Sequence, residues 1–291
     1  MNEIVLGKMN RLRVVKKVDF GYYLQGTVRG EAVEVLLPNG EIIGNGVELE
    51  QDVDVFIYLD QEERIIASMN RPLAEVGDFA WLEVAWVNNY GAFLNWGLKK
   101  DVFVPFREQK KKMEKGEKYI VHLHADPDSY RIMASAKVEH YLSQEKPAYR
   151  AGEEVDILIW QKTELGLKAI VDNKFAGLLY DNEVFRNVRT GDRMKAYVRH
   201  VRPDGKIDLS LQRKGREAVQ DISEVLLDYI NAHGGRCNLG DKSRAEEIYE
   251  KFGVSKKVFK RAVGDLYKRR VIIITEEGLE KVEKDNKYNN V

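Results

Sequence analysis

The sequence predicts a multidomain, mainly β chain in which three tandem five-stranded barrels precede a small α+β module. Three observations carry this. The segments DFGYYL (19–24), NYGAFL (89–94) and ELGLKA (164–169) repeat, setting Gly21, Gly91 and Gly166 70 and 75 residues apart. Around them, short runs bounded by turns alternate apolar with polar residues, the period of a half-buried strand. From about residue 215 the apolar spacing turns helical.

Two further landmarks follow each glycine in the same order. VLLPN (35–39), VFVPF (102–106) and GLLYD (177–181) come first, then RIIAS (64–68), RIMAS (131–135) and KIDLS (206–210), the last three preceded by the acidic turns DQEE, DPDS and PDG. A period near 70 residues is too long for a solenoid repeat, so the landmarks read as small domains over 1–70, 71–147 and 148–214. In the second, alternation places Leu82, Val84 and Trp86 on one strand face and Trp81, Glu83 and Ala85 on the other; further runs at 92–94, 102–104, 119–123 and 131–135 bring the strands to about five. A unit this small without a disulfide must bury most of its apolar strand faces, and a closed barrel does so while leaving no sheet edge exposed. A glycine inside each second strand fits a sharp bend.

The fourth module spans 215–285. Ala218, Ile222, Val225, Leu226, Tyr229 and Ile230 mark a helix that stops at Gly234 and Gly235. Asp241 and Ser243 are candidate N-caps for a second helix carrying Ile248, Tyr249 and Phe252 and ending at Gly253; Ser255 caps a third that runs to Arg270. A β-branched run at 271–275 and GLEKVEK complete three helices and a hairpin, the winged-helix arrangement, and the closing DNKYNNV reads as frayed.

Composition excludes several classes of function. No apolar run approaches the roughly 18 residues of a membrane span, and the start, MNEIVLGKMNRLRV, lacks the apolar core of a signal peptide, so the expected location is the cytoplasm, with no membrane partner. A single Cys makes no internal disulfide, His122 and His124 share a strand face without a third ligand nearby, and Cys237 has no adjacent base. No HExxH or GxSxG grouping occurs, and Gly40, Gly44 and Gly46 lack the Lys-Ser/Thr of a phosphate loop. The expectation is a non-enzymatic protein with no cofactor and no metal.

FGYYL, YGAFL, GLLYDNEV, RIMAS and KIDLS resemble the S1-type RNA-binding domain, an OB-fold barrel. Three such units followed by a winged helix resemble the conserved virulence factor B family of bacterial RNA-binding regulators. The resemblance implies three S1-like OB-fold barrels, single-stranded RNA as partner, an influence on gene expression and no catalysis. Bases stack on aromatic side chains while a basic groove follows the backbone. The implied RNA-binding residues are therefore Phe20, Tyr23, Tyr90, Phe93, Phe103 and Tyr180. Phe20 and Tyr23, like Tyr90 and Phe93, are three residues apart, which puts the members of a pair on opposite strand faces unless the glycine carries a bulge. Tyr180 takes the place of a binding histidine in GLVHIS-type strands, where the first two units have Pro38 and Pro105; the third unit departs from the pattern at Leu165 and Lys168. On the third helix, Lys256, Lys257, Lys260 and Arg261 are candidate nucleic-acid contacts, with DNA or a protein as the alternative partner of that module. A protein-interaction scaffold and a DNA-binding transcriptional regulator are the competing functions.

The 47 basic and 47 acidic residues balance overall but not locally. Seven basic residues face twelve acidic in 1–70, against 12 and 11 in 71–147, 13 and 10 in 148–214, and 15 and 14 in 215–291. An acidic first barrel is a poor electrostatic partner for phosphate, which places the expected RNA affinity in the later modules.

Overall fold

The period-two runs close into three barrels of five strands. The computed structural model describes residues 2–44, 46–127, 129–181, 184, 187–211 and 216–282, of 216–221 the backbone alone. The first barrel comprises β1 (Met9–Val18), β2 (Gly21–Val28), β3 (Glu31–Pro38), β4 (Asp52–Leu59) and β5 (Ile65–Ser68). The second comprises β6 (Phe79–Val87), β7 (Gly91–Asn95), β8 (Val102–Pro105), β9 (Lys118–Ala125) and β10 (Ile132–Ser135). The third comprises β11 (Glu154–Thr163), β12 (Gly166–Val171), β13 (Phe175–Tyr180), β14 (Arg193–Val201) and β15 (Ile207–Ser210). Each ring closes in the same way, with the third strand parallel to the fifth through Leu36 and Ile66, Phe103 and Met133, and Leu178 and Asp208. Inward side chains such as Leu12, Val14, Leu24, Val55 and Ile57 in the first barrel are buried, the apolar face that drives closure.

Two local features correct the simple alternation. The first strand of every barrel bulges, between Val14 and Lys16, Val84 and Trp86, and Ile159 and Gln161. The extra residue reverses the pattern. Leu82 and Val84 are buried as expected, but Trp86 turns to the outside and is exposed. The glycines, for their part, do not lie inside the second strands and carry no bulge; each is the first residue of its strand. A Cβ at Gly21, Gly91 or Gly166 would sit 2.3 Å from the carbonyl oxygen of Leu37, Val104 or Leu179 respectively, so close backbone approach is what requires glycine.

The chain divides into two compact units, Met1–Leu142 and Ser143–Val291. Within the first, Phe56, Tyr58 and Ile66 of the first barrel join Ala74, Trp96 and Leu98 of the second in one apolar cluster, and the ring of Phe56 meets Trp96 edge-on at 5.5 Å. The loop between β7 and β8 also makes polar contacts with the first barrel. Lys99 Nζ lies 2.9 Å from Glu41 and donates to Gly40 O at 2.8 Å, and Lys100 Nζ donates to Asp60 O at 2.6 Å. Glu41 is only 3% exposed; burial alone would raise its pKa, but hydrogen bonds from Ser68, Lys99 and Asn70 outweigh it and hold the carboxyl below its ordinary value. Ser135 donates to Glu108 in the same manner, which explains the serine ending RIIAS and RIMAS.

In the second unit the third barrel precedes α1 (Arg216–Ala232), α2 (Ala245–Phe252), α3 (Lys256–Lys268) and a three-stranded sheet of β16 (Arg236–Cys237), β17 (Ile272–Ile274) and β18 (Leu279–Lys281) in the order β16-β18-β17. The hairpin closes three helices, giving the winged-helix fold. Ser255 caps α3 by accepting from Val258 N, and Gly253 ends α2 at φ 68°. The N-cap of α2 is Arg244, not Asp241 or Ser243: its backbone N–H donates to Glu247, whereas Ser243 Oγ accepts from Gly240 N and Asp241 pairs with Lys260. Residue 215, the side chain of Ala218, residues 283–285, the closing DNKYNNV, and Asn182 and Glu183 of GLLYDNEV lie outside what is described.

Candidate nucleic-acid interface

The shared register places an equivalent outward row on each barrel, running from the bulged strand across the second and third strands to the fifth. It reads Lys16, Tyr23, Leu36 and Ile66 on the first barrel. On the second it reads Trp86, Phe93, Phe103 and Met133. On the third it reads Gln161, Lys168, Leu178 and Asp208.

Only the second row is an aromatic platform. Trp86 and Phe93 stack at 3.7 Å with 4° between their planes, and Phe103 leans on Phe93 at 4.8 Å. Trp86 is 43% exposed, with its Nε1–H donating to Asp101 at 3.0 Å, so its polar edge is satisfied while a ring surface stays in contact with water. Gly91 makes the platform feasible, since a Cβ there would also press to 2.8 Å on the ring of Phe103. Tyr90, before the strand, is 76% exposed, and its carbonyl accepts from Phe106 N. The platform lies in a cleft of about 780 Å³ walled by Tyr58, Leu59, Gln61 and Glu63 of the first barrel, with Lys99, Lys100, Arg107 and Arg131 on the side of the second. Lys100 is held below its ordinary pKa by burial, which Glu63 and Asp60 oppose.

The other predicted residues are placed differently. Phe20 is exposed at the turn before β2, and Tyr23 is half-buried with Lys16 Nζ 5.5 Å from its ring centre. That row ends in Ile66, which is buried in the cluster shared with the second barrel. Tyr180 pairs with Gly166 at the position held by Pro38 and Pro105 in the first two barrels. Its hydroxyl accepts from Arg202 and donates to Asp208 at 3.3 Å, and Arg202 also pairs with Asp208 at 2.7 Å. Tyr180 is therefore tethered within its own barrel. On α3, Lys256 Nζ donates to Ser243 O at 2.7 Å and Lys260 lies 3.2 Å from Asp241, while Lys257 and Arg261 are exposed. Among the described residues no cluster of three or more His, Cys, Asp or Glu is arranged to hold a metal, and no helix is long and apolar enough to cross a membrane.

Residues 6–70 match the S1 domain and residues 224–280 the CvfB-like winged helix domain. The chain is 30% identical to uncharacterized protein YitL of Bacillus subtilis over 90% of its own length and 89% of that protein's, and 24% identical to conserved virulence factor B of Staphylococcus aureus over 94% and 93%. It belongs to the conserved virulence factor B family. A solved multidomain protein with nucleic acid binding domains from Streptococcus pneumoniae aligns over 95% of this chain and 98% of its own at 22% identity and a TM-score of 0.41.

In this family member the cleft adds Trp86, Lys99, Lys100 and Arg131 to the aromatic residues that the sequence implies. Simple alternation groups Trp86 with Leu82 and Val84, because nothing in a single alternating run reveals the bulge that separates them. Arg131 opens the RIMAS landmark, so the motif was legible although the direction of its first side chain was not. Lys99 and Lys100 sit in a loop whose role depends on the neighbouring barrel, which no local pattern encodes.

Proposed function

We propose that the chain binds single-stranded RNA and acts as a post-transcriptional regulator of gene expression, with its main stacking site on the outer face of the second barrel. Of the four modules read over 1–70, 71–147, 148–214 and 215–285, the second then supplies base stacking and the later ones supply additional phosphate contacts. The observation that carries this reading is the Trp86, Phe93 and Phe103 platform, partly exposed in a cleft whose lining includes Lys99, Lys100, Arg107 and Arg131 beside Glu63, Asp101 and Asp126. Paired bases have their faces covered by neighbouring pairs, so an aromatic platform favours unpaired strands, and each stacked base contributes about 1 to 3 kcal/mol. Membership of a family whose domains include the S1 type favours RNA over DNA. Phosphate contacts by Arg107 and Arg131 make the affinity fall with salt.

The test is binding of a single-stranded RNA oligonucleotide across a salt series. A folded Trp86→Ala/Phe93→Ala variant is expected to bind at least about tenfold more weakly than wild type. Wild-type affinity in that variant would remove the stacking mechanism.

A further inference from the structure

Of the cations that line the cleft, Arg107 pairs loosely with Glu108 of its own barrel at 3.9 Å, and Arg131 pairs with an open carboxylate of the first barrel. Lys99 is held by the buried Glu41 and Lys100 by a backbone carbonyl, both parts of the junction between the first two barrels. Arg131 is different: its guanidinium pairs with Glu63 of the first barrel, and both side chains are about half exposed, 54% and 51%. An ion pair so open to water contributes little to stability, because screening and the entropy of two long side chains offset its attraction. Its position is nevertheless well defined. Glu63 occupies φ 66°, in the left-handed region, within a turn organised around Asp60, whose carboxylate accepts from the backbone of Glu62 and Arg64 and from the Arg64 guanidinium. Lys100 grips the same turn through Asp60 O. The turn thus presents a carboxylate to Arg131 inside a cleft that also holds the aromatic platform. A carboxylate and a phosphodiester make the same fork-like contacts to a guanidinium.

We propose that Glu63 holds the place of a nucleic-acid phosphate, so that a single strand enters the cleft between the first two barrels by displacing this carboxylate from Arg131. The inference rests on the stacking site assigned above and adds a role for the first barrel that its acidic charge conceals. The first barrel forms a wall of the site and supplies an internal competitor for the ligand, which discriminates against weakly bound anions and makes affinity depend on one cross-barrel contact.

The experiment uses the full chain and a single-stranded RNA oligonucleotide at low and high salt. Glu63→Gln is expected to tighten binding by about two- to fivefold at low salt, with the gain shrinking as salt rises. Glu62→Gln removes the same charge one residue away and is expected to change affinity by less than half as much. In an Arg131→Ala background, Glu63→Gln is expected to give no gain. A gain that persists without Arg131, or that Glu62→Gln reproduces, would reflect net charge and overturns the placeholder role, while a loss in Trp86→Ala/Phe93→Ala in the same assay leaves the stacking site standing. Inorganic phosphate and adenosine 5′-monophosphate are run in parallel; a gain confined to them overturns a strand as the ligand. Absence of RNA binding by wild type and Glu63→Gln alike overturns both readings. Thermal melting matched to wild type establishes that each variant is folded.

Discussion

The second and third barrels share a ring order, a bulge in the first strand and a glycine pressed against a carbonyl, yet their outer rows have opposite chemistry. The second carries Trp86, Phe93 and Phe103 in mutual contact. The third carries Gln161, Lys168 and Leu178; Lys168 Nζ sits 4.9 Å from the ring centre of Trp160, and Arg202 secures Tyr180 to Asp208. Inward residues and close backbone contacts determine whether the barrel closes, whereas outward residues in the same register are free to become a stacking platform or a tethered polar surface. A repeat can therefore preserve a fold while changing what its face recognises.

The largest expected effect breaks the part the barrels share. Gly91→Ala and Gly166→Ala both force a Cβ onto a carbonyl, but only Gly166 also has a positive φ, +142°. Overpacking costs about 1 to 3 kcal/mol, and the backbone strain at Gly166 adds about 1 kcal/mol or more. Urea unfolding is expected to rank Gly166→Ala below Gly91→Ala; equal losses would show that the conformation of Gly166 is immaterial.

The next prediction concerns the part in which they differ. Phe103 and Leu178 occupy the same row position, so Phe103→Ala is expected to weaken RNA binding by about 1 to 3 kcal/mol. Leu178→Ala, measured in the same titration, is expected to change it by only about a few tenths, the usual result away from a binding contact. Similar losses would mean that both faces bind.

A third difference is titratable. At the position paired with the closing serine, the first barrel has Phe56, the second His122 and the third Tyr197. His122 stacks on Tyr141 at 4.1 Å, its Nδ1 is buried without a hydrogen-bond partner, and burial, reinforced by His124, lowers its pKa from 6.5 to about 4. The folded state thus favours the neutral ring, while the unfolded chain takes up a proton near pH 6.5. This contribution is fully present above pH 6.5 and is lost as pH falls toward about 4, by on the order of 1 to 2 kcal/mol after solvent screening. His122→Phe, which installs the residue of the first barrel, is expected to flatten melting temperature over that range. An undiminished acid response would assign the effect elsewhere.

The smallest effect belongs to the tether in the third barrel. Tyr180→Phe removes two hydrogen bonds and is expected to cost about 1 kcal/mol of stability, with RNA affinity unchanged. A clear loss of affinity would return Tyr180 to the binding surface.

Three closed barrels and a winged helix were legible because the information is local and repeated. Gly21, Gly91 and Gly166 recur with the same landmarks, and Ser255 and Gly253 bracket α3 and α2 with ordinary capping chemistry. The candidate site was only half legible. Tyr90 and Phe93 stand around a conspicuous glycine and Phe103 lies in the landmark that follows it, and the structure brings Phe93 and Phe103 together. Simple alternation groups their partner Trp86 with Leu82 and Val84, from which the bulge separates it, and Tyr180, implied by resemblance, is tied down by a residue 22 positions away.

What the sequence by itself determined is the closure of each barrel, since alternation, a close-approach glycine and a terminal serine act within one unit and survive in all three. What only tertiary structure decided is which face stays open. Ile66 and Tyr58 are outward residues by register but are buried because Trp96 and Leu98 of the next barrel join them, and Glu63 meets Arg131 across 68 positions. Such contacts depend on how two finished surfaces fit, a property of shape and charge in three dimensions that no period in one dimension records.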